Sequence, residues 1–148
     1  MTAVSPVQLV HAYLPSTEVQ PAGRAVFTAD EVSDGRMLIG VRGDIDATNH
    51  HALGKFVQRH IRVSKQLILD LTRVDFFGSQ GFTALHYVSV HCARRDVDWM
   101  VAGGRTALRI LRVCDPDGDL PLAGDIAGAF ARLDHVAKAR HAVAWGDA

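Results

Sequence analysis

Cysteine is scarce: the 148 residues hold two, Cys92 and Cys114. They stand far apart, each inside an apolar helical pattern, which predicts two reduced thiols and argues against a disulfide framework. Neither has a Cys-x-x-Cys partner, and His-Glu-x-x-His is absent, so the common zinc frames are missing. Neither sign of charge is in excess, with Lys plus Arg at 16 and Asp plus Glu at 16. With no basic cluster beyond Arg94-Arg95, the composition lacks the footprint of a dedicated nucleic-acid binder. No apolar run approaches the length of a membrane span, and Met1 to Ser5 carries no basic leader segment. A cytoplasmic protein with no membrane or nucleic-acid partner and no cofactor is expected.

What is present fits one globular domain: 48% of residues are hydrophobic and 22% charged. A chain of this size buries roughly two-thirds of its unfolded surface, enough for a real core. Eight histidines add a latent positive charge that would appear below about pH 6.5.

Residues 1 to 24 contain Pro6, Pro15 and Pro21, which block a continuous helix or a central strand. They are expected to form an N-terminal extension, partly disordered or docked, in which Val7 to Leu14 can pair as an edge strand. The domain proper is then 25 to 148. Ala25 to Ala29 and Met37 to Val41 are strand-like runs joined through Ser33-Asp34-Gly35-Arg36, and Asp-Gly between apolar runs signals a hairpin. Gly43-Asp44-Ile45-Asp46 is expected as a turn. A helix follows from Thr48 to Val63, with Leu53, Phe56, Val57 and Ile61 on one face and Asp46 or Thr48 as its cap.

Lys65 to Leu71 is apolar at nearly every position, the mark of a strand covered on both faces. A second helix follows, lined by Phe82, Leu85, Val88, Ser89 and Cys92. Val97 to Ala102 forms the next strand, ended by Gly103-Gly104. A short helix carries Ala107, Leu108, Ile110, Leu111 and Cys114, and Asp115-Pro116-Asp117-Gly118 stops it. Leu120-Pro121-Leu122 is a minimal last strand, and Asp125 to Val143 a closing helix. Strands alternating with helices predict an α/β fold: one mixed, mostly parallel sheet with helices packed on it, after an opening β-hairpin.

The polar turn Gly78-Ser79-Gln80-Gly81 sits where strand gives way to helix. Ser79 can act there as an N-cap, worth about 1 kcal/mol, or as a chemical switch. As a hydrolase nucleophile it would want Gly-x-Ser-x-Gly, and position 77 is Phe. Gly103-Gly104-Arg105-Thr106 lacks the Gly-x-x-x-x-Gly-Lys phosphate-loop frame. Phe76, Phe77 and Phe82 crowd the Ser79 turn, a pattern that suits a partner surface and also a core.

The turn with its following Phe82-Thr83-Ala84-Leu85 resembles the Asp-Ser-Ser-Gly-Leu-Gly-x-Leu signature of STAS-domain anti-sigma factor antagonists from bacteria. Gly43-Asp44-Ile45-Asp46 resembles that family's Gly-Glu-Leu-Asp, and Arg109-Ile110-Leu111 its Arg-x-Leu helix. The resemblance spans about residues 25 to 133. It implies a non-enzymatic protein that binds an anti-sigma factor with kinase activity, releases the sigma factor, and is switched off by phosphorylation at Ser79. Asp44, Asp46, Thr48, Phe77, Gly78, Ser79, Gln80, Gly81 and Phe82 are then the partner-binding residues, on a monomer or weak dimer. Gly78 replaces the family's Asp and Gln80 its second Ser or Thr, which predicts slow phosphorylation. The alternative is a STAS-like module that is not phosphorylated. It would dock constitutively, or sense a nucleotide, a small molecule or redox state through Cys92 or Cys114.

Overall fold

Two glycine turns build the first half of the sheet in the computed structural model, which describes residues 18–146. Strand β1 (Glu18–Ala22) reverses through Gly23-Arg24 into β2 (Ala25–Ser33), and β2 reverses through Asp34-Gly35 into β3 (Arg36–Ile45). Gly23 and Gly35 have φ of +57° and +75°, left-handed values that tight hairpin turns need and glycine adopts without strain. The second hairpin is the expected one. The first is a correction: Glu18 to Ala22, assigned above to an extension, form a strand of the sheet. Pro21 is compatible with it because β1 lies at the sheet edge, where one side has no ladder partner. Val7 to Leu14 lie outside the described residues.

From β3 onward strands and helices alternate. Helix α1 (His50–Ile61) leads to β4 (Gln66–Phe77), and α2 (Ser79–Arg95) to β5 (Asp98–Gly103). Helix α3 (Arg105–Cys114) leads to β6 (Leu122–Ala123), and α4 (Ile126–Gly146) closes the chain's described part. The six strands lie across the sheet in chain order, antiparallel from β1 to β3 and parallel from β3 to β6. This is the expected α/β class, with one more strand.

Crossovers of one hand that step in one direction leave their helices on one face. Accordingly Leu53, Phe56 and Val57 of α1, Leu85 and Val88 of α2, and Ala107 and Leu111 of α3 share a single core with Ile39, Val41, Leu67, Leu69 and Leu71. Helix α4 covers the other face, where Ala129 and Leu133 meet Leu38, Ile68, Met100 and Ala102. Alternate residues of β4 feed different cores, so its sequence is continuously apolar. Gln66 fastens α4 to the sheet: it accepts from the Arg36 guanidinium at 2.8 Å and donates to the Leu133 carbonyl at 2.9 Å.

Two strand ends that shape the site differ from expectation, for one reason. Strand β4 runs past Leu71 to Phe77, but β5 pairs with it only up to Leu71 and Gly103. The remainder is bonded to β3 alone, and its Thr72, Arg73, Asp75 and Phe76 face water, which hides a strand from any search for apolar runs. Likewise Gly43 to Ile45 continue β3 instead of turning. Gly43 has φ +97°, and a Cβ there would sit 2.1 Å from the Arg24 carbonyl oxygen, so it marks a kink pressed against the first hairpin.

Candidate functional site

Strands β3 and β4 end side by side, and each opens into a helix at that edge. Ile45 pairs with Phe77, and the Ile45 carbonyl accepts the Gly78 N–H at 2.9 Å. Asp46 and Ser79 each lie one residue beyond that bond. The sheet register therefore brings the two motifs together, although 32 positions separate Asp46 from Gly78 in the chain.

Gly78 is the N-cap residue of α2, with φ −74° and ψ 173°, and Ser79 is the first residue inside the helix. This corrects the cap expectation, since a capping side chain reaches back into the helix from the position outside it. The Ser79 side chain is exposed, and its hydroxyl has no hydrogen-bond partner among the described residues. Gly81 N–H bonds the Gly78 carbonyl at 2.9 Å. The opening N–H groups of the helix have no acceptor within it, and they put the positive end of the helix dipole at the hydroxyl.

The neighbours of Ser79 divide into surface and support. The Gln80 carboxamide folds back so that its Oε1 lies 2.9 Å from the place a Cβ on residue 78 would occupy. Phe77, expected on the partner surface, is 3% exposed and belongs to the core. Its ring lies under the first turn of α2, where a Cβ on Gly81 would come within 2.4 Å of it. Gly81 thus shapes the site from beneath. Phe76 is the aromatic that points outward, 52% exposed, while Phe82 is half-buried against the core. Strand alternation would have separated Phe76 from Phe77 had the strand been recognised.

Asp46 organises its own loop. Its carboxylate accepts from the Thr48 hydroxyl at 2.5 Å and from the Thr48 N–H at 2.9 Å, and these bonds hold it below the ordinary carboxylate range. Neither Asp46 nor Thr48 is the N-cap residue of α1, as expected above; Asn49 is. The Asn49 side chain is used elsewhere. It donates to the carbonyls of Ala22 at 2.9 Å and Asp44 at 2.7 Å, and accepts the Asp46 N–H at 3.0 Å. At 1% exposure it is a buried polar latch joining β1, β3 and the Asp46 loop. Sequence reasoning missed it. The available signal was an Asn directly before an apolar-periodic helix.

Helices α1 and α2 pack closely at Gly54, where a Cβ would meet the Tyr87 ring at 2.9 Å. Beside this contact a cavity of about 110 Å³ is lined by His50, His51, Lys55, Thr83 and Tyr87. Among the described residues no group of His, Cys, Asp and Glu is arranged to hold a metal, and no helix is long and apolar enough to cross a membrane. Burial pushes the Cys92 thiol up to about 12, which keeps it protonated and unreactive, while Cys114 is a free, half-buried thiol.

Residues 28–123 match the family model of the STAS domain. The chain is 28% identical over 106 residues to the anti-sigma-F factor antagonist RsfA of Mycobacterium tuberculosis, a match covering 69% of this chain and 83% of that protein. An anti-sigma factor antagonist from Mycobacterium paratuberculosis has a similar crystal structure, with a TM-score of 0.61 at 21% identity over 73% of this chain and 92% of that one. The anti-sigma factor antagonist SpoIIAA in its unphosphorylated form also superposes with a TM-score of 0.61, at 14% identity, over 74% of this chain and 96% of that one. At these identities what the structures share is the fold.

Proposed function

The chain belongs to the STAS domain family, and from that premise we propose that it is an anti-sigma factor antagonist whose switch is phosphorylation of Ser79. One observation carries this: the Ser79 hydroxyl is exposed and without a hydrogen-bond partner among the described residues, at the first position of α2 and next to the Asp46 loop. The unphosphorylated surface of Asp44, Asp46, Thr48, Ser79, Gln80 and Phe82, with Phe76 as its exposed aromatic, binds an anti-sigma factor and frees the sigma factor. Phe77, Gly78 and Gly81 are buried and act from below by fixing the helix start. The protein performs no chemistry, works in the cytoplasm as a monomer or weak dimer, and serves its partner kinase as substrate.

Phosphorylation adds roughly −1.5 to −2 charges to this surface. The α2 N-terminus stabilises that charge locally, so the fold stays as it is. Binding then fails because the partner would have to desolvate a dianion beside the ionised Asp46, at a cost of several kcal/mol.

Incubation with the cognate anti-sigma factor and ATP, followed by intact mass, tests the reading. The wild type should gain one phosphate and Ser79→Ala none. A wild type that binds the anti-sigma factor but gains no phosphate would remove the switch and leave the antagonist role.

A further inference from the structure

The zero net charge conceals a segregation. Helices α1, α2 and α3 contain no Asp or Glu, yet they carry Lys55, Arg59, Arg94, Arg95, Arg105, Arg109 and Arg112, all exposed. All three helices pack on one face of the sheet, so this charge belongs to one side of the molecule. The acids gather elsewhere. Asp115, Asp117 and Asp119 lie in the turn after α3, Asp96 and Asp98 pair with Arg140 of α4, and Asp134 pairs with Arg36.

Internal demands account for part of the pattern: Arg59, Arg94, Arg95 and Arg112 lie in the last turns of their helices, where the helix dipole favours cations. This does not explain Lys55, Arg105 and Arg109 or the absence of acids. Of the seven cations, Arg59 alone has an ion-pair partner among the described residues, Glu18 at 2.7 Å. Lys55 lies over the Tyr87 ring at 5.8 Å. Acid-free helices forgo the spaced Glu–Lys and Glu–Arg pairs that stabilise surface helices, so this composition works slightly against local stability. The accumulated field is felt at the α1–α2 seam: His91 lies below its ordinary value, through burial first and then through Arg94, Lys55 and Arg62.

We propose that the exposed side of α1, α2 and α3 is a second part of the partner interface, and that an acidic surface of the anti-sigma factor occupies it. The proposal rests on the function given above and extends its site, because all three helices start at the sheet edge that bears Ser79. Arginine outnumbers lysine six to one among these cations. Its planar fork pairs two-pronged with carboxylates, and it is enriched at protein interfaces. A nucleic acid or lipid surface is uniformly anionic and would meet Asp44, Asp46 and Asp75 at the same edge. A protein can present basic groups to those acids and carboxylates to the helices.

Calorimetric titration of the anti-sigma factor at low and high salt tests this with four proteins: wild type, Ser79→Glu, Arg94→Glu/Arg95→Glu and Arg109→Glu/Arg112→Glu. The reversed residues are exposed and unpaired among the described residues, so thermal unfolding should stay cooperative, with only the small loss expected from acids in the last turns of α2 and α3. Each double reversal should weaken binding roughly tenfold or more at low salt and flatten the salt dependence. Weakening by Ser79→Glu with none from either reversal overturns the surface and leaves the function standing. Failure of the wild type to bind overturns both. Charge-dependent retention on duplex DNA or phosphatidylglycerol vesicles, tighter than on the anti-sigma factor, overturns the acidic protein as occupant.

Discussion

The chain passes from a parallel strand into a helix through a glycine cap at Phe77-Gly78-Ser79-Gln80-Gly81, and again at Gly103-Gly104-Arg105-Thr106-Ala107. The two caps have nearly the same backbone, φ −74° and ψ 173° at Gly78 against φ −86° and ψ −178° at Gly104. Their side chains are inverted. In the first, a large ring precedes the cap and glycine follows three residues after it; in the second, glycine precedes and alanine follows. The first helical residue is a neutral hydroxyl in one and a guanidinium in the other. The caps also differ in what crowds them: a Cβ on Gly104 would lie 3.0 Å from the Thr72 backbone, whereas one on Gly78 would meet the flexible end of Gln80 at 2.9 Å. Helix starts able to receive an anion are thus built in more than once. What sets the α2 start apart is a neutral acceptor group and the Asp46 loop beside it.

That contrast can be broken most directly at the first helical residue. Ser79→Glu should weaken anti-sigma factor binding by about a hundredfold, in line with the few kcal/mol attached to a desolvated interfacial charge, while Ser79→Ala binds like the wild type. Calorimetry decides, and equal affinities for Ser79→Glu and wild type would remove the distinction between the two helix starts. Next in size is the inverted packing. Gly81→Ala should cost about 1–3 kcal/mol in urea unfolding, because its methyl has to displace the Phe77 ring. The mirror change Ala107→Gly should cost about 2 kcal/mol, from helix propensity and one lost buried methyl. A Gly81→Ala that costs nothing would mean that the ring does not dictate the glycine.

Smaller still is the neighbour effect. Gly78→Asp restores the acidic group usual in the family at a backbone conformation open to any residue, and the flexible end of Gln80 can move aside. Phosphorylation by the cognate kinase should speed up severalfold, as followed by phosphate incorporation over time. The smallest effect sharpens the comparison from the other side. Arg105→Ser places a hydroxyl at the equivalent position of α3, away from the Asp46 loop, and should accept no phosphate under conditions that modify Ser79. A second phosphate by intact mass would show that a helix start is sufficient by itself.

The alternation of strands and helices after Ala25 was legible because each buried face leaves a period, of two in strands and near four in helices. The second halves of β3 and β4 were not, because the period fades where a strand has one neighbour and water on its other side. This obscured Phe77 in particular: without the strand, nothing in Phe76-Phe77 tells the core ring from the exposed one. Asp46 and Ser79 could be paired through the family resemblance, yet their adjacency comes from the register of Ile45 with Phe77, which composition does not encode. The basic side was readable in principle. Thr48 to Leu69 and Phe76 to Arg95 contain no acid. A whole-chain charge balance averages such stretches away, and it takes the crossover topology to stack them on one side.

Asn49 bears on where the working unit begins. The family match starts at residue 28, beyond β1. A protein trimmed to that match would lose Ala25 and Phe27 from one core and all of α4 from the other. Removing the Ala22 carbonyl takes an acceptor from the Asn49 amide, a further penalty of about 1–3 kcal/mol. The same side chain holds the backbone of Asp44 and Asp46, so the damage would fall on the loop beside Ser79. A fragment meant to keep the proposed binding surface has to include Ala22 and the strand that carries it, and a tag or cleavage site placed between Glu18 and Ala22 should disturb the proposed switch.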